Sequence, residues 1–305
     1  MDGPELVPAV VIGAVMGTVG RLSMLRIDYR QYPSYPQGYT VHLSLGFVAA
    51  LLGAIVVPAI ALGDYAAASF LALAATQFRE VRALERKTLT QMESDELVPR
   101  GNAYIEGIAR VFEARNYLAM LTALVASLAG VLAIGAGGGW WWSLAAGGAA
   151  GGVTIGLLRN AMRGPTVGDI ARVSIGEITF QGPLLTVRGV VIRNVGLEEA
   201  RRRYEREALA LLIEPRDVAA REILGNLGQR QAIAHEVASR VGIEWDVDEP
   251  EFVPVARRDS ATGTMVMAFI PTLRDVDAVV EAVKAVPLLE AVVRRPKASG
   301  AGKAG

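Results

Sequence analysis

The chain has 305 residues, 31 basic against 31 acidic side chains, two histidines, no cysteine, and 52% hydrophobic residues. The missing cysteines exclude disulfides, thiolate metal sites and thiol nucleophiles, and the balanced charge argues against a nucleic-acid partner. With a positive mean hydropathy, these values point to a membrane protein rather than to an ordinary soluble domain.

The average conceals two parts. Residues 1–158 consist mostly of long apolar runs rich in Gly and Ala, whereas 159–298 mix charge with short apolar runs, and 299–305 read as a disordered tail. The expected fold is an α-helical polytopic membrane region of about five transmembrane helices, with an amphipathic interval at 78–116, followed by a soluble α+β domain.

The first run, Leu6 to Gly20, carries no charge and ends at Arg21. A signal peptide has basic residues before its core, but here Asp2 and Glu5 precede it and Arg21, Arg26 and Arg30 follow, so a retained span with a snorkelling Arg21 is expected. Tyr29, Tyr32, Tyr35 and Tyr39 alternate with Pro33 and Pro36, which suits an interfacial loop. Val41 to Leu62 is a full span kinked at Pro58. Gly63-Asp64 turns the chain, and Tyr65 to Phe78 is an Ala-rich return of marginal length. Phe78 to Met92 is an amphipathic helix with Arg82 and Arg86 on one face, suited to anionic headgroups. Tyr117 to Ile134 and Trp140 to Leu158 complete the set, with Trp140, Trp141 and Trp142 as interface anchors.

Alternating spans place Arg21, Arg26, Arg30, Arg79, Arg82, Arg86, Lys87, Arg100, Arg110, Arg115, Arg159 and Arg163 on one side. The positive-inside rule then puts the N-terminus outside and the C-terminal domain on the cytoplasmic side. Gly13, Gly17 and Gly20, and likewise Gly148, Gly152 and Gly156, are helix-packing glycines; packing within one bundle is favoured over a homo-oligomer seam because such spacings are frequent in lipid-embedded helices. No acidic or basic residue lies away from a span end, which disfavours an ion or proton carrier. His42 is expected at the interface, with no second ligand at metal-site spacing.

The polar interval ends in Asn102 to Arg115, NAYIEGIARVFEAR. Tyr104, Ile105, Ile108 and Phe112 follow helical spacing, while Glu106, Arg110 and Glu113 form a charge ladder on the opposite face. Gly107 stands out, since Gly within a helix costs about 1 kcal/mol against Ala. The hexapeptide Tyr104 to Ala109 and its setting resemble the YIEGIA family, sporulation-associated membrane proteins of endospore-forming bacteria. The resemblance runs along nearly the whole chain and implies a membrane location and a part in spore formation. It implies no catalytic residues. Tyr104, Glu106, Gly107 and Arg110 are therefore candidates for a partner or packing contact.

Beyond Arg163, Ile170 to Phe180 and Leu184 to Asn194 alternate like strands around Gln181-Gly182-Pro183. Gly196 to Ile213 reads as one helix, and Arg216 to Leu224 and Gln229 to Val241 as two more. Glu251 to Arg258 and Thr264 to Pro271 suggest a hairpin, Leu273 to Val286 a helix, and Leu288 to Arg295 a last strand, a β-β-α-β order of ferredoxin-like type. Asp246, Asp248, Glu249 and Glu251 lack EF-hand spacing, His235-Glu236 lacks a second His, and no phosphate loop or nucleophile elbow occurs, so neither a metal nor a cofactor is expected. The expected function is that of a non-enzymatic membrane scaffold or regulator in sporulation, with the lipid bilayer and membrane proteins as partners. A transporter or channel component, a membrane-anchored ligand-sensing module and a membrane enzyme are the rival readings.

Overall fold

A computed structural model describes residues 3–28, 36–93, 98–161, 164–244 and 252–289, without the side chains of 26–38 and 161. The loop at 29–35, the acidic residues Asp246, Asp248, Glu249 and Glu251, the strand beyond Leu289 and the tail lie outside the described residues. The chain divides into two compact units, Met1–Lys87 with Ile108–Arg163, and Thr88–Gly107 with Gly164–Gly305.

The first unit is helical. Its elements are α1 (Val7–Asp28), α2 (Pro36–Ala61), α3 (Tyr65–Thr76), most of α4 (Phe78–Met92), α5 (Asn102–Gly135) from Ile108 onward, and α6 (Trp140–Ala161). Four helices are long and apolar enough to cross a membrane, namely Gly3–Leu25, Tyr39–Ala61, Asn102–Gly135 and Trp140–Asn160. On α1, Val7, Val11, Val15 and Val19 face outward at spacing four. The opposite stripe carries Gly13 and Gly17. A helix apolar on both faces fits lipid outside and protein inside.

Small residues let α1, α2 and α5 approach backbone to backbone. A Cβ on Gly17 would lie 2.7 Å from both the Ala119 carbonyl and the Ala50 Cβ, and one on Gly13 would lie 2.8 Å from the Ala123 carbonyl. Ala14, Ala50, Ala54 and Ala123 form the buried cluster between them, and Ser127 Oγ donates to the Ala54 carbonyl at 2.7 Å. This register makes α2 and α5 parallel, so Ala61 and Gly135 end at the same level.

The third segment is the short helix expected from its Ala-rich run, followed by a separate amphipathic one. Asp64 caps α3 by accepting from Ala67 N at 2.9 Å, and the helix has 12 residues, a rise of about 18 Å. The α-helix then breaks at Gln77 and resumes as α4. Together the two retrace α2: His42, near the start of α2, lies 3.9 Å from Glu85 of α4. Contacts with α5 follow the same course, through Tyr117 to the Ala75 carbonyl at 3.3 Å and Arg82 to Glu113 at 3.1 Å.

The second unit holds two antiparallel sheets. Strands β1 (Ala171–Gly176), β5 (Leu209–Pro215), β6 (Val255–Arg258) and β7 (Met265–Phe269) form one in the order β1-β5-β7-β6, and β2 (Ile178–Gln181), β3 (Leu184–Val187) and β4 (Val190–Asn194) form the other. The short helix α7 (Val167–Ile170) precedes β1, and α8 (Glu198–Glu207), α9 (Val218–Gly225), α10 (Leu227–Val241) and α11 (Val276–Lys284) complete the unit. The expected helix to Ile213 is corrected here. It ends at Glu207 because Ala208 turns extended, and the following apolar run is strand β5, with Ala210, Leu211 and Ile213 buried. Two helices between β5 and β6, with β7 inserted between those strands, make a split β-α-β core. A ferredoxin-like sheet would place a strand after α11 beside β5. That position belongs to β1, the first strand of the unit.

Candidate functional site

The YIEGIA hexapeptide opens α5, and its residues through Gly107 belong to the second unit. Tyr104 is 2% exposed, and its hydroxyl donates to Glu236 Oε1 on α10 at 2.5 Å. Its ring meets His235 edge-on at 6.4 Å. His235 Nδ1 lies 2.6 Å from the Val98 carbonyl; a carbonyl only accepts, so Nδ1 carries the proton, and the Ser239 hydroxyl, 3.2 Å from Nε2, donates to the His235 carbonyl at 2.9 Å. Glu236 is also 3.4 Å from Arg240. Burial pushes the Glu236 carboxyl above its ordinary pKa, against the opposing pull of the Tyr104 hydrogen bond, Arg240 and Arg100. Ala103 approaches α10 where Gly228 lacks a side chain, since a Cβ there would lie 2.9 Å from the Ala103 Cβ.

The rest of the motif is placed differently. Ile105 is buried beside Tyr104, Glu106 is half-buried, and Arg110 is exposed. Glu113, the last member of the charge ladder, pairs with Arg82 on α4. A Cβ at Gly107 would meet nothing within 4 Å, so no neighbour in the described chain demands glycine there.

A second constellation, which sequence reasoning missed, lies inside the helical unit. Arg21 is fully buried rather than snorkelling, and its Nη2 lies 3.2 Å from His42 Nδ1. Since Arg only donates, His42 accepts at Nδ1 and carries its proton on Nε2, which faces Glu85 Oε1. Phe112 covers this joint, 4.6 Å from the His42 ring and 5.7 Å from Arg21 Cζ. Gly46 leaves room for the Arg21 stem, which a Cβ would strike. Arg115 and Asn116 are buried on the next turn of α5, and among the described residues the Asn116 amide finds no hydrogen-bond partner at Oδ1 or Nδ2. Four helices thus meet at one buried polar joint. Its members are scattered from 21 to 116, with no local spacing to mark them; the one readable signal was Gly46, one helical turn after His42. Among the described residues, no group of three His, Asp or Glu is placed to hold a metal ion.

The glycine seams also resolve by placement. Gly13 and Gly17 make the close approaches described above, and a Cβ on Gly20 would lie 3.4 Å from Ile155 Cγ1, an ordinary contact. On α6 the close approaches fall at Gly147, where a Cβ would lie 2.8 Å from the Ala126 carbonyl, and at Gly151, where one would lie 2.7 Å from Met16 Cβ. A Cβ on Gly148 would come no nearer than 3.8 Å to Ile12, and one on Gly152 or Gly156 would meet nothing within 4 Å.

The family model described as "YIEGIA protein" matches residues 9–299. The chain is 39% identical over 288 residues to the protein titled "Uncharacterized protein YphB" of Bacillus subtilis (strain 168), covering 94% of each chain. No solved structure matches it.

Proposed function

The chain belongs to the YIEGIA family, and from that footing we propose that it is a non-enzymatic integral membrane scaffold or regulator acting in spore formation. The observation that carries this reading is α5. It is one uninterrupted helix of 34 residues, whose buried Tyr104 is bonded to α10 and whose later turns pack against the glycines of α1. The same helix thus contributes residues to both compact units.

Five crossings complete the proposal, with the third made by α3 and the first turns of α4. Support comes from the register: Tyr65 to Glu85 spans about 30 Å of helix, the thickness of a hydrocarbon core, and returns the chain to the level of His42. Exposed Trp140, Trp141 and Trp142 then anchor the outer boundary, and the basic residues gather on the cytoplasmic side with the C-terminal domain. Transport is the weaker reading because Gly13, Gly17, Ala50, Ala54, Ala119 and Ala123 bring three backbones into contact where a pathway would run.

Crosslinking and affinity capture from sporulating cells, comparing wild type with Glu106→Ala and Gly107→Leu, tests the motif as a contact. Open space at Gly107 lets the leucine variant fold, so lost partners together with impaired spore formation would locate an external contact. Unchanged partners, abundance and spore yield in both variants would remove that role.

A further inference from the structure

We propose that Arg230, Arg257 and Arg258 form a binding site for a phosphate group at the start of α10. Arg230 stands in the first turns of this 15-residue helix, whose N-terminus is capped by the Asn226 side chain accepting from Gly228 N at 2.9 Å. Strand β6 supplies the other two arginines, and Arg230 Nη1 ties the elements together through the Ala256 carbonyl at 3.5 Å. A Cβ on Gly225 would lie 2.8 Å from Arg258 Nη1, so the bare glycine lets that guanidinium rest on the corner between α9 and α10. Arg257 is fixed from the other side, its Nε donating to the Ile192 carbonyl at 3.4 Å.

The positive charges of Arg257 and Arg258 both act on Arg230. Among the described residues none of the three makes an ion pair, and the neighbouring Asp259 carboxylate is taken by the Thr262 hydroxyl at 2.6 Å and Ala261 N at 2.9 Å. Arg230 Nε is buried with no hydrogen-bond partner. Burial chiefly pushes the Arg230 pKa down, and the charges of Arg257 and Arg258 add to it. An anion offsets those charges. Guanidinium forks match phosphate oxygens in bidentate geometry, and the helix N-terminus adds a dipole of the same sign. The phosphate can belong to a lipid headgroup or to a soluble phosphate.

The test uses the full chain in phosphatidylcholine nanodiscs, titrated with inorganic phosphate at constant ionic strength. Saturable one-to-one binding is expected, weakened about tenfold or more by Arg258→Gln and by Arg230→Gln. Arg202→Gln, whose residue pairs with Glu198 on α8, should leave it unchanged. Arg258→Gln removes no hydrogen bond among the described residues, and an unchanged melting temperature is expected of it. Repeating the titration in phosphatidylglycerol discs separates the sources: weaker phosphate binding there identifies a headgroup as the occupant, and equal binding identifies a soluble phosphate. Absence of saturable binding, equal binding by the wild type and both variants, or equal displacement by chloride, which marks simple screening, would overturn the site.

Discussion

At the scale of single residues, Tyr104 and Glu236 decide how firmly the motif is held. Tyr104→Phe deletes the hydroxyl bonded to the buried Glu236 carboxyl and should destabilise the second unit by about 1–3 kcal/mol, measurable as loss of amide-exchange protection on α10. The Glu236 carboxyl, raised by burial, binds its proton more tightly in the folded chain than in the unfolded one. Its stabilising contribution is therefore complete below the unfolded carboxylate pKa and is lost as pH rises through the folded value. Glu236→Gln should remove that loss, so its melting temperature minus that of the wild type should grow with pH across this window. A constant difference would show that Glu236 does not titrate there. The helical spacing of Tyr104 made its burial legible in the sequence. Its partner was not legible, because Glu236 lies 132 positions along the chain, on a helix whose His235-Glu236 pair reads only as an incomplete metal motif. The joint of Arg21, His42 and Glu85 was hidden for the same reason, and Arg21 at a span end looked like a snorkelling anchor.

At the scale of elements, the packing distances separate glycines that spacing alone treats alike. Gly17→Ala places a Cβ 2.7 Å from a backbone carbonyl, where helices rather than side chains must move, and should cost about 1–3 kcal/mol or more. Gly152→Ala faces open space and should be neutral or stabilising by up to about 1 kcal/mol. Thermal unfolding of the purified protein in detergent checks both; a large loss at Gly152 would instead reveal a seam with a second copy. The sequence marks Gly13 and Gly17 because a single row of glycines runs along α1. On α6 the doublets Gly147-Gly148 and Gly151-Gly152 leave two faces equally eligible, and only burial selects Gly147 and Gly151. Strand β5 was misread for a related reason: the apolar run after Glu207 continues a helical pattern by composition, and burial on both faces, with pairing to β1 and β7, converts it to a strand.

At the scale of the whole molecule, the split into an apolar helical part and a mixed α+β part was legible from composition, because lipid and water demand different surfaces. The boundary between α3 and α4 was legible as well: the charged residues from Arg79 onward end the Ala-rich return at Phe78 and open an amphipathic helix there, and the structure breaks the helix at Gln77. The absence of cysteine makes topology directly measurable. Single cysteines at Gly63, Gly137, Thr90 and Glu198 can each be probed in intact cells with a membrane-impermeant maleimide. Five crossings predict labelling at Gly63 and Gly137, with Thr90 and Glu198 protected until the cells are opened. Labelling of Gly63 together with Thr90, with Gly137 protected, would show that α3 and α4 do not cross and would contradict the account.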